Sequence, residues 1–181
     1  MGNVLIEDDL EFDFRAALNA VHFDDKNHKM GHCMKAVDFL VEWDEEFWFV
    51  EVKDPSSTKI PKKYKNKNLG EFINKMRNQT LFAHELGPKL KDSFLYLFLR
   101  NRLPEKSLKY IVLLAIESLD SALLSESMQH LKRYSCLVGS ENPFWLEKYI
   151  DGVAIYNEKT WNQKLKKCPV NRTNGHANPI K

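Results

Sequence analysis

The most informative stretch of the chain is residues 35–54, where β-branched and aromatic side chains surround a short acidic run. Val37, Phe39 and Val41 precede the three acids at 44–46, and a second group rich in Phe, Trp and Val follows them. This pattern predicts two antiparallel strands joined by a tight turn. Because apolar residues occupy both faces of each strand, we expect central strands with helices on both sides.

Helical and strand patterns fill the rest of the chain. Apolar residues at helical spacing predict helices over 9–21, 119–134 and 158–167. They also predict a helix from residue 69 that Gly87 and Pro88 stop or kink, followed by a further helical stretch to about residue 100. Short apolar runs predict buried strands over 109–116 and 151–156. This order predicts an α/β fold, a mixed central β-sheet flanked by helices on both faces.

Length and composition set the scale of the fold. A chain of 181 residues with 43% hydrophobic and 12% aromatic residues fits one folded domain, which we place over residues 1–168. Residues 169–181, rich in Asn, Gly and Pro, predict a flexible C-terminal tail. The net charge of +2 is too small for a chain-wide attraction to nucleic acid, so any basic patch must be local.

Cysteine usage and the apolar runs indicate the compartment. Three widely spaced cysteines, Cys33, Cys136 and Cys168, argue against a disulfide scaffold and favour a reducing environment. The first nine residues lack the basic segment and long apolar run of a signal peptide. No apolar run approaches the roughly twenty residues that a membrane helix needs. We therefore expect a cytoplasmic protein without membrane contact.

The hairpin brings two carboxylates together. A two-residue turn at Asp44-Glu45 places Asp38 opposite Glu51, with Cβ atoms about 5 Å apart. Lys53 projects from the same face as Glu51, because side chains alternate along a strand. Two negative charges so close in an apolar sheet require a positive charge between them.

This cluster suits a hard divalent cation. Mg²⁺ takes oxygen ligands and commonly binds through one or two carboxylates plus substrate phosphates. We expect Mg²⁺ or Mn²⁺ on Asp38, Glu51 and the backbone carbonyl of Val52. Lys53 would orient or deprotonate a water bound to the metal, or steady the charge on a phosphate. Such a cluster is typical of a metal-dependent hydrolase.

These residues resemble the core of the PD-(D/E)XK nuclease superfamily, which has the restriction-endonuclease-like fold. Asp38, in the segment Ala-Val-Asp-Phe-Leu, matches the family's first acid, while Glu51 and Lys53 in Phe-Val-Glu-Val-Lys match its second acid and lysine. Ala and Val stand where a proline is often found before the first acid. The motif covers under a tenth of the chain, although the element order extends the match to about residue 116. The resemblance implies metal-dependent cleavage of phosphodiester bonds, usually in DNA.

The resemblance also implies supporting residues from two helices. The family often supplies an acid from its first helix, and we favour Glu11 slightly among the candidates Glu7, Asp9, Glu11 and Asp13. It often places a polar or basic residue on the helix after the lysine strand, where Lys75, Arg77 and Gln79 are available. Lys75 and Gln79 lie four residues apart, so we expect both to lean towards the metal from one helical face.

A basic segment follows the strand that carries the lysine. Residues 55–68 hold five lysines around one tyrosine and no acid: Lys59, Lys62, Lys63, Tyr64, Lys65 and Lys67. We expect the lysines, with Lys75, to bind backbone phosphates beside the metal, and Tyr64 to stack on an unpaired base. The alternative is a solvated linker, which charge runs usually are.

The leading hypothesis is thus a metal-dependent nuclease acting on DNA, assisted by a protein partner or a homodimer. A catalytically inactive nucleic-acid-binding or assembly module with the same fold is the rival, and a protein that uses a cation for stability alone is a third reading. For Asp38, Glu51 and Lys53 the alternative is an exposed salt-bridge cluster, which would contribute little. DNA and RNA remain open as substrates.

Overall fold

The computed structural model describes residues 3–25, 33–116, 119–135 and 150–173 of the chain. Within these ranges eight strands form: β1 (Val4–Glu7), β2 (Leu10–Asp13), β3 (Asn19–His22), β4 (Phe39–Glu42), β5 (Glu46–Lys53), β6 (Ser107–Leu114), β7 (Gly152–Tyr156) and β8 (Val170–Arg172). Four α-helices accompany them: α1 (Lys65–Arg77), α2 (Gly87–Leu99), α3 (Ser121–Tyr134) and α4 (Glu158–Lys164). A 3₁₀ turn over Lys62–Tyr64 precedes α1, and a π-helical turn over Phe82–Leu86 leads into α2.

The strands form two sheets. A five-stranded sheet has the order β3-β4-β5-β6-β7, in which β3, β4 and β5 are antiparallel neighbours and β5, β6 and β7 run parallel. A smaller antiparallel sheet has the order β1-β2-β8. The predicted α/β fold with a mixed central sheet is therefore confirmed.

Each face of the five-stranded sheet carries its own core. On one face Phe49 and Tyr110 pack with buried residues of α1, α2 and α3, such as Leu90 and Leu131. On the other face the core includes β1, β2, β8 and α4, with Trp161 fully buried. The expectation of helices on both faces thus needs correction, because a small sheet shares the second face with a single short helix of the described chain.

The predicted first helix over residues 9–21 is wrong, since β2 and β3 occupy this stretch. Leu10 and Phe12 are fully buried and alternate with Glu11 and Asp13, which is the period-two pattern of a strand. Leu10 and Phe14 also stand four residues apart, so the same residues satisfy helical spacing. The burial of Phe12 decides between the two patterns.

The predicted tail begins too early. Residues 170–172 form β8 against β2, and Arg172 donates to Asp54 Oδ2 at 2.9 Å and to Glu158 Oε1 at 2.6 Å. The domain therefore continues past residue 168, because these contacts tie β8 to Asp54, directly after β5, and to α4. Residues 174–181 of the predicted tail lie outside the described residues.

Helix α1 begins at Lys65, four residues before the predicted start, and ends at Arg77. The predicted break at Gly87 is instead a junction, since Gly87 keeps helical backbone angles between the π-helical turn and α2. Gly87 allows α3 to approach closely: a Cβ there would lie 2.8 Å from the Tyr134 carbonyl oxygen and 2.9 Å from that of Phe82. No described helix is long and apolar enough to cross a membrane.

Gly87→Ala is expected to lower the free energy of unfolding by about 1–3 kcal/mol, because the added methyl group would press on two backbone oxygens that cannot rotate away. Gly70→Ala is the matched control, since a Cβ at this position of α1 meets no atom within 4 Å. There alanine should leave stability unchanged or raise it. Chemical denaturation of both variants makes the comparison, and equal stabilities would contradict the close approach of α3.

Candidate active site

The β4–β5 hairpin has the predicted register. Trp43 N donates to Glu46 O at 2.8 Å across the turn, and Leu40 pairs with Phe49. Continuing this register by two residues places Asp38 opposite Glu51, as expected from a two-residue turn. The backbone N–H of Val52 donates to Asp38 Oδ2 at 2.6 Å, which fixes the Asp38 carboxylate against β5.

Two ammonium groups meet the paired carboxylates. Lys53 Nζ lies 3.1 Å from Glu51 Oε1, as the shared strand face predicts. Lys89 Nζ lies 2.8 Å from the same oxygen and 3.2 Å from Asp38 Oδ1, so it bridges the two acids. The Glu51 side chain is fully buried and Asp38 is 7% exposed. The site is therefore a desolvated cluster, which excludes the exposed salt-bridge reading.

A third acid extends the cluster towards solvent. Glu85, in the π-helical turn, places Oε2 3.3 Å from Lys53 Nζ, and its Oε1 accepts a hydrogen bond from Lys75 Nζ at 2.9 Å. Lys75 thus joins the site through Glu85 and keeps about half of its side chain exposed. This chain of contacts runs from the buried acids to the surface of α1.

Burial and the Asp38 charge dominate the electrostatics of Glu51. Together they raise the pKa of Glu51 to about 8, although Lys89 and Lys53 lower it. Burial lowers the pKa of Lys89, but the two carboxylates more than compensate and hold it above its usual range. Both lysines therefore remain charged at neutral pH, and Glu51 retains a proton over part of the physiological range when no metal is bound.

Glu7, at the end of β1, is an acid of the N-terminal segment that interacts electrostatically with the cluster. Burial and then the charges of Asp38 and Asp8 raise the pKa of Glu7 to about 7. Glu11, the acid that the sequence slightly favours, lies on β2 opposite Ile6, in a strand instead of a helix. Glu11 lies in the smaller sheet because residues 10–13 form β2 and not the predicted first helix.

Gln79 does not share a helical face with Lys75, because α1 ends at Arg77. Gln79 follows the C-cap residue with a φ of 66°, and its Oε1 accepts a hydrogen bond from the Tyr134 hydroxyl at 3.2 Å. This bond ties Gln79 to α3. The expectation that Gln79 and Lys75 lie on one helical face is therefore wrong.

The basic segment divides into paired and exposed lysines. Lys59 Nζ lies 3.0 Å from Asp8 Oδ1, and Lys65 Nζ donates to the Ser56 carbonyl at 3.0 Å. Lys67 approaches Glu71 only to 3.8 Å. Lys59 and Lys67 are nevertheless exposed, as are Lys62, Lys63 and Tyr64. The Lys63 ammonium lies 4.7 Å from the Tyr64 ring centroid. Lys62 and Lys63, which form no ion pair with an acid of the described chain, are therefore best placed to meet a ligand.

The oxygen groups of the cluster fit a hard divalent cation. Glu51 Oε2 is buried and receives no hydrogen bond from the described part of the chain. The Val52 N–H donates to the Asp38 carboxylate. Because the N–H and C=O of one strand residue point to the same side of the strand, the Val52 carbonyl also points to the β4 side of β5, where Asp38 lies. Two carboxylates and one carbonyl leave room for the waters that Mg²⁺ keeps. Among the described residues, however, no group of three or more His, Cys, Asp or Glu side chains forms a ready metal site.

The chain matches no protein-family model, no curated protein and no solved structure. The chemistry of the site therefore rests on its own geometry. Its agreement with the PD-(D/E)XK motif is confined to Asp38, Glu51 and Lys53, whose positions the hairpin determines.

Sequence reasoning missed Lys89 and Glu85. Lys89 had a recognisable signal, since it stands among Leu86, Leu90 and Ser93, the positions that α2 and its preceding turn bury. A lysine on an otherwise buried helical face needs a partner acid. Glu85 carries no comparable signal, because its position depends on the π-helical turn.

The stability of the metal-free protein should fall as the pH rises from about 5 to about 8. The unfolded chain releases the Glu51 proton near pH 4.5, whereas the folded protein holds it to about pH 8. Between these values the folded state binds more protons, so increasing pH favours unfolding. Glu7 acts in the same direction up to about pH 7.

Thermal melts in EDTA across this pH range, on wild type and Glu51→Gln, test the assignment. Glutamine does not titrate in this pH range, so the melting temperature of the variant should fall less with increasing pH than that of wild type. Identical slopes in both proteins would show that Glu51 ionises normally and is not buried as described.

Proposed function

We propose that this protein is a metal-dependent nuclease of the restriction-endonuclease-like fold, which hydrolyses phosphodiester bonds in DNA. The observation that carries the proposal is the convergence of Asp38, Glu51 and Lys53 in a desolvated cluster, with Lys53 Nζ 3.1 Å from Glu51 Oε1. An exposed ion pair would carry no such implication, whereas buried titratable groups with shifted pKa values are typical of functional sites.

Each group has a role in this reaction. Asp38, Glu51 and the Val52 carbonyl would hold Mg²⁺ or Mn²⁺. A bound divalent cation would lower the pKa of a coordinated water and stabilise charge on the phosphate. Lys53, charged and held between Glu51 and Glu85, is positioned to orient the attacking water or the phosphate oxygens. Its two acid partners restrict the ammonium to one location.

The exposed basic residues support a nucleic-acid substrate. Lys62 and Lys63 lie exposed between the end of β5 and the start of α1, and Tyr64 is 45% exposed. Lysines bind phosphates without reading sequence, and an exposed tyrosine can stack on an unpaired base. The segment begins two residues after Lys53, so a nucleic-acid backbone bound there would approach the acid pair.

A catalytically inactive nucleic-acid-binding module is the second candidate. One observation favours it: the Lys89 ammonium lies between Asp38 and Glu51 and supplies a positive charge there without a metal. Such a protein would bind nucleic acid through the same exposed lysines but would not cleave it. The two candidates therefore differ in a single measurable property, which is cleavage.

Purified protein incubated with single-stranded, double-stranded and branched DNA, and with RNA, separates the candidates. Each substrate is tested with Mg²⁺, Mn²⁺ or EDTA, and a Glu51→Gln protein purified in parallel controls for contaminating nucleases. We expect cleavage of at least one DNA substrate by wild type with metal only. Binding without cleavage would favour the inactive module, and equal cleavage by both proteins would assign the activity to a contaminant.

Lys62→Gln/Lys63→Gln is expected to weaken nucleic-acid binding similarly for all sequences. The slope of log affinity against log salt concentration should flatten by about two units, one for each lost phosphate contact. Thermal stability should hardly change, because exposed charges contribute little to folding. Lys59→Gln is the control, because Lys59 Nζ already lies 3.0 Å from Asp8 Oδ1, and it should flatten the slope less than a single change at Lys62 or Lys63. An unchanged slope for Lys62→Gln/Lys63→Gln would indicate that the segment is a solvated linker that does not contact phosphates.

A further inference from the structure

Lys89 occupies the position between the two acids that a shared metal ion would take. Its ammonium lies 2.8 Å from Glu51 and 3.2 Å from Asp38, and its side chain is only 15% exposed. A metal that binds both carboxylates needs the same oxygens, and a divalent cation beside an ammonium group in a desolvated site is strongly repelled. The two cations therefore exclude each other.

Helix α2 holds Lys89 in this place. Ser93 Oγ accepts a hydrogen bond from Val37 N at 3.0 Å, and Asp92 Oδ2 accepts one from Lys35 N at 2.8 Å. Leu90, next to Lys89, is fully buried. These contacts fix α2 against the segment that leads to Asp38, so the lysine stem starts from a rigid element and only its end is free to move.

We propose that Lys89 is a built-in competitor for the divalent cation: its ammonium group bridges Asp38 and Glu51 in the metal-free protein and must leave before a metal can bind them. This inference rests on the proposed metal-dependent function. Asp24, whose Oδ2 is 3.8 Å from Lys89 Nζ and whose side chain is about half exposed, lies on the path outward. A lysine side chain can reach it by rotation about its flexible stem. A substrate phosphate offers a second destination.

Mn²⁺ titration, followed by calorimetry, measures the competition without any activity assay. Lys89→Met keeps the apolar stem without the charge, and it should bind Mn²⁺ about tenfold more tightly than wild type or better. Lys89→Gln, which keeps a hydrogen-bond donor for the acids, should also bind Mn²⁺ more tightly than wild type. It replaces Lys89→Met in the titration if Lys89→Met does not fold. Lys89→Arg keeps the charge and should bind Mn²⁺ no more tightly than wild type.

Lys106→Met is the matched control. Lys106 Nζ lies 2.8 Å from Glu42 Oε1 at the other end of the same hairpin, and its side chain is 19% exposed. Its loss should leave Mn²⁺ affinity unchanged. Unchanged or weaker binding in the folded Lys89→Met or Lys89→Gln protein would overturn the competition while leaving the metal site intact. Absence of Mn²⁺ binding in every protein would overturn the metal site, and with it the competition.

Discussion

Glu51→Gln is expected to abolish metal-dependent cleavage and to weaken Mn²⁺ binding by at least about a hundredfold, since even residues that only support metal ligands cost about 10- to 100-fold. Glutamine has nearly the shape of glutamate, so it fills the same buried space. It lacks the negative charge that a divalent cation requires from this position. The loss therefore reports the ligand role and not a packing defect.

Calorimetric Mn²⁺ titration and single-turnover cleavage of labelled DNA measure the two effects of Glu51→Gln. Glu42→Gln is the control, because Glu42 lies on the same hairpin and pairs with Lys106 away from the acid pair. It should retain both binding and cleavage. Unchanged Mn²⁺ affinity in Glu51→Gln would remove Glu51 from the metal site.

Lys53→Met should abolish cleavage as well, but its Mn²⁺ affinity should be no weaker than that of wild type. The ammonium lies beside Glu51 and Glu85 and would repel a nearby metal ion, so its removal cannot weaken metal binding electrostatically. Cleavage should depend on it, because the proposed reaction needs a cation that orients the attacking water and the phosphate. The expected loss in rate is about a hundredfold or more.

The separation of metal binding from cleavage is the informative result for Lys53→Met. If Mn²⁺ affinity falls together with activity, the lysine only maintains the shape of the site. If activity survives, a different group orients the reaction. Lys75→Met, which removes the outer partner of Glu85, should reduce cleavage less than Lys53→Met does, because Lys75 contacts the cluster only through Glu85.

The hairpin could be predicted from the sequence because its determinants are local. The side-chain period of two and the two-residue turn fix the register, so the opposition of Asp38 and Glu51 follows from counting. Lys53 follows from the same alternation along β5. The inner part of the site was thus accessible from about twenty consecutive residues.

The remaining features depend on contacts between distant parts of the chain. Lys89 reaches Asp38 across 51 positions, and β8 completes a sheet with β2 from the other end of the domain. The buried face of α2 signals that Lys89 needs an acid but does not identify which acid, and the β2–β8 pairing has no local signature. The four-residue strands β2 and β3 are too short for periodicity to separate them from a helix, since Leu10 and Phe14 fit both patterns.

The claim that Asp38 and Glu51 form the metal centre of a nuclease is tested most directly by an anomalous difference map from crystals grown with Mn²⁺. We expect a peak within coordination distance of Asp38 and Glu51 carboxylate oxygens, near the Val52 carbonyl, with the Lys89 ammonium displaced from its bridging position. A map without a peak at this position, from crystals in which Lys89 still joins the two carboxylates at saturating Mn²⁺, would contradict it.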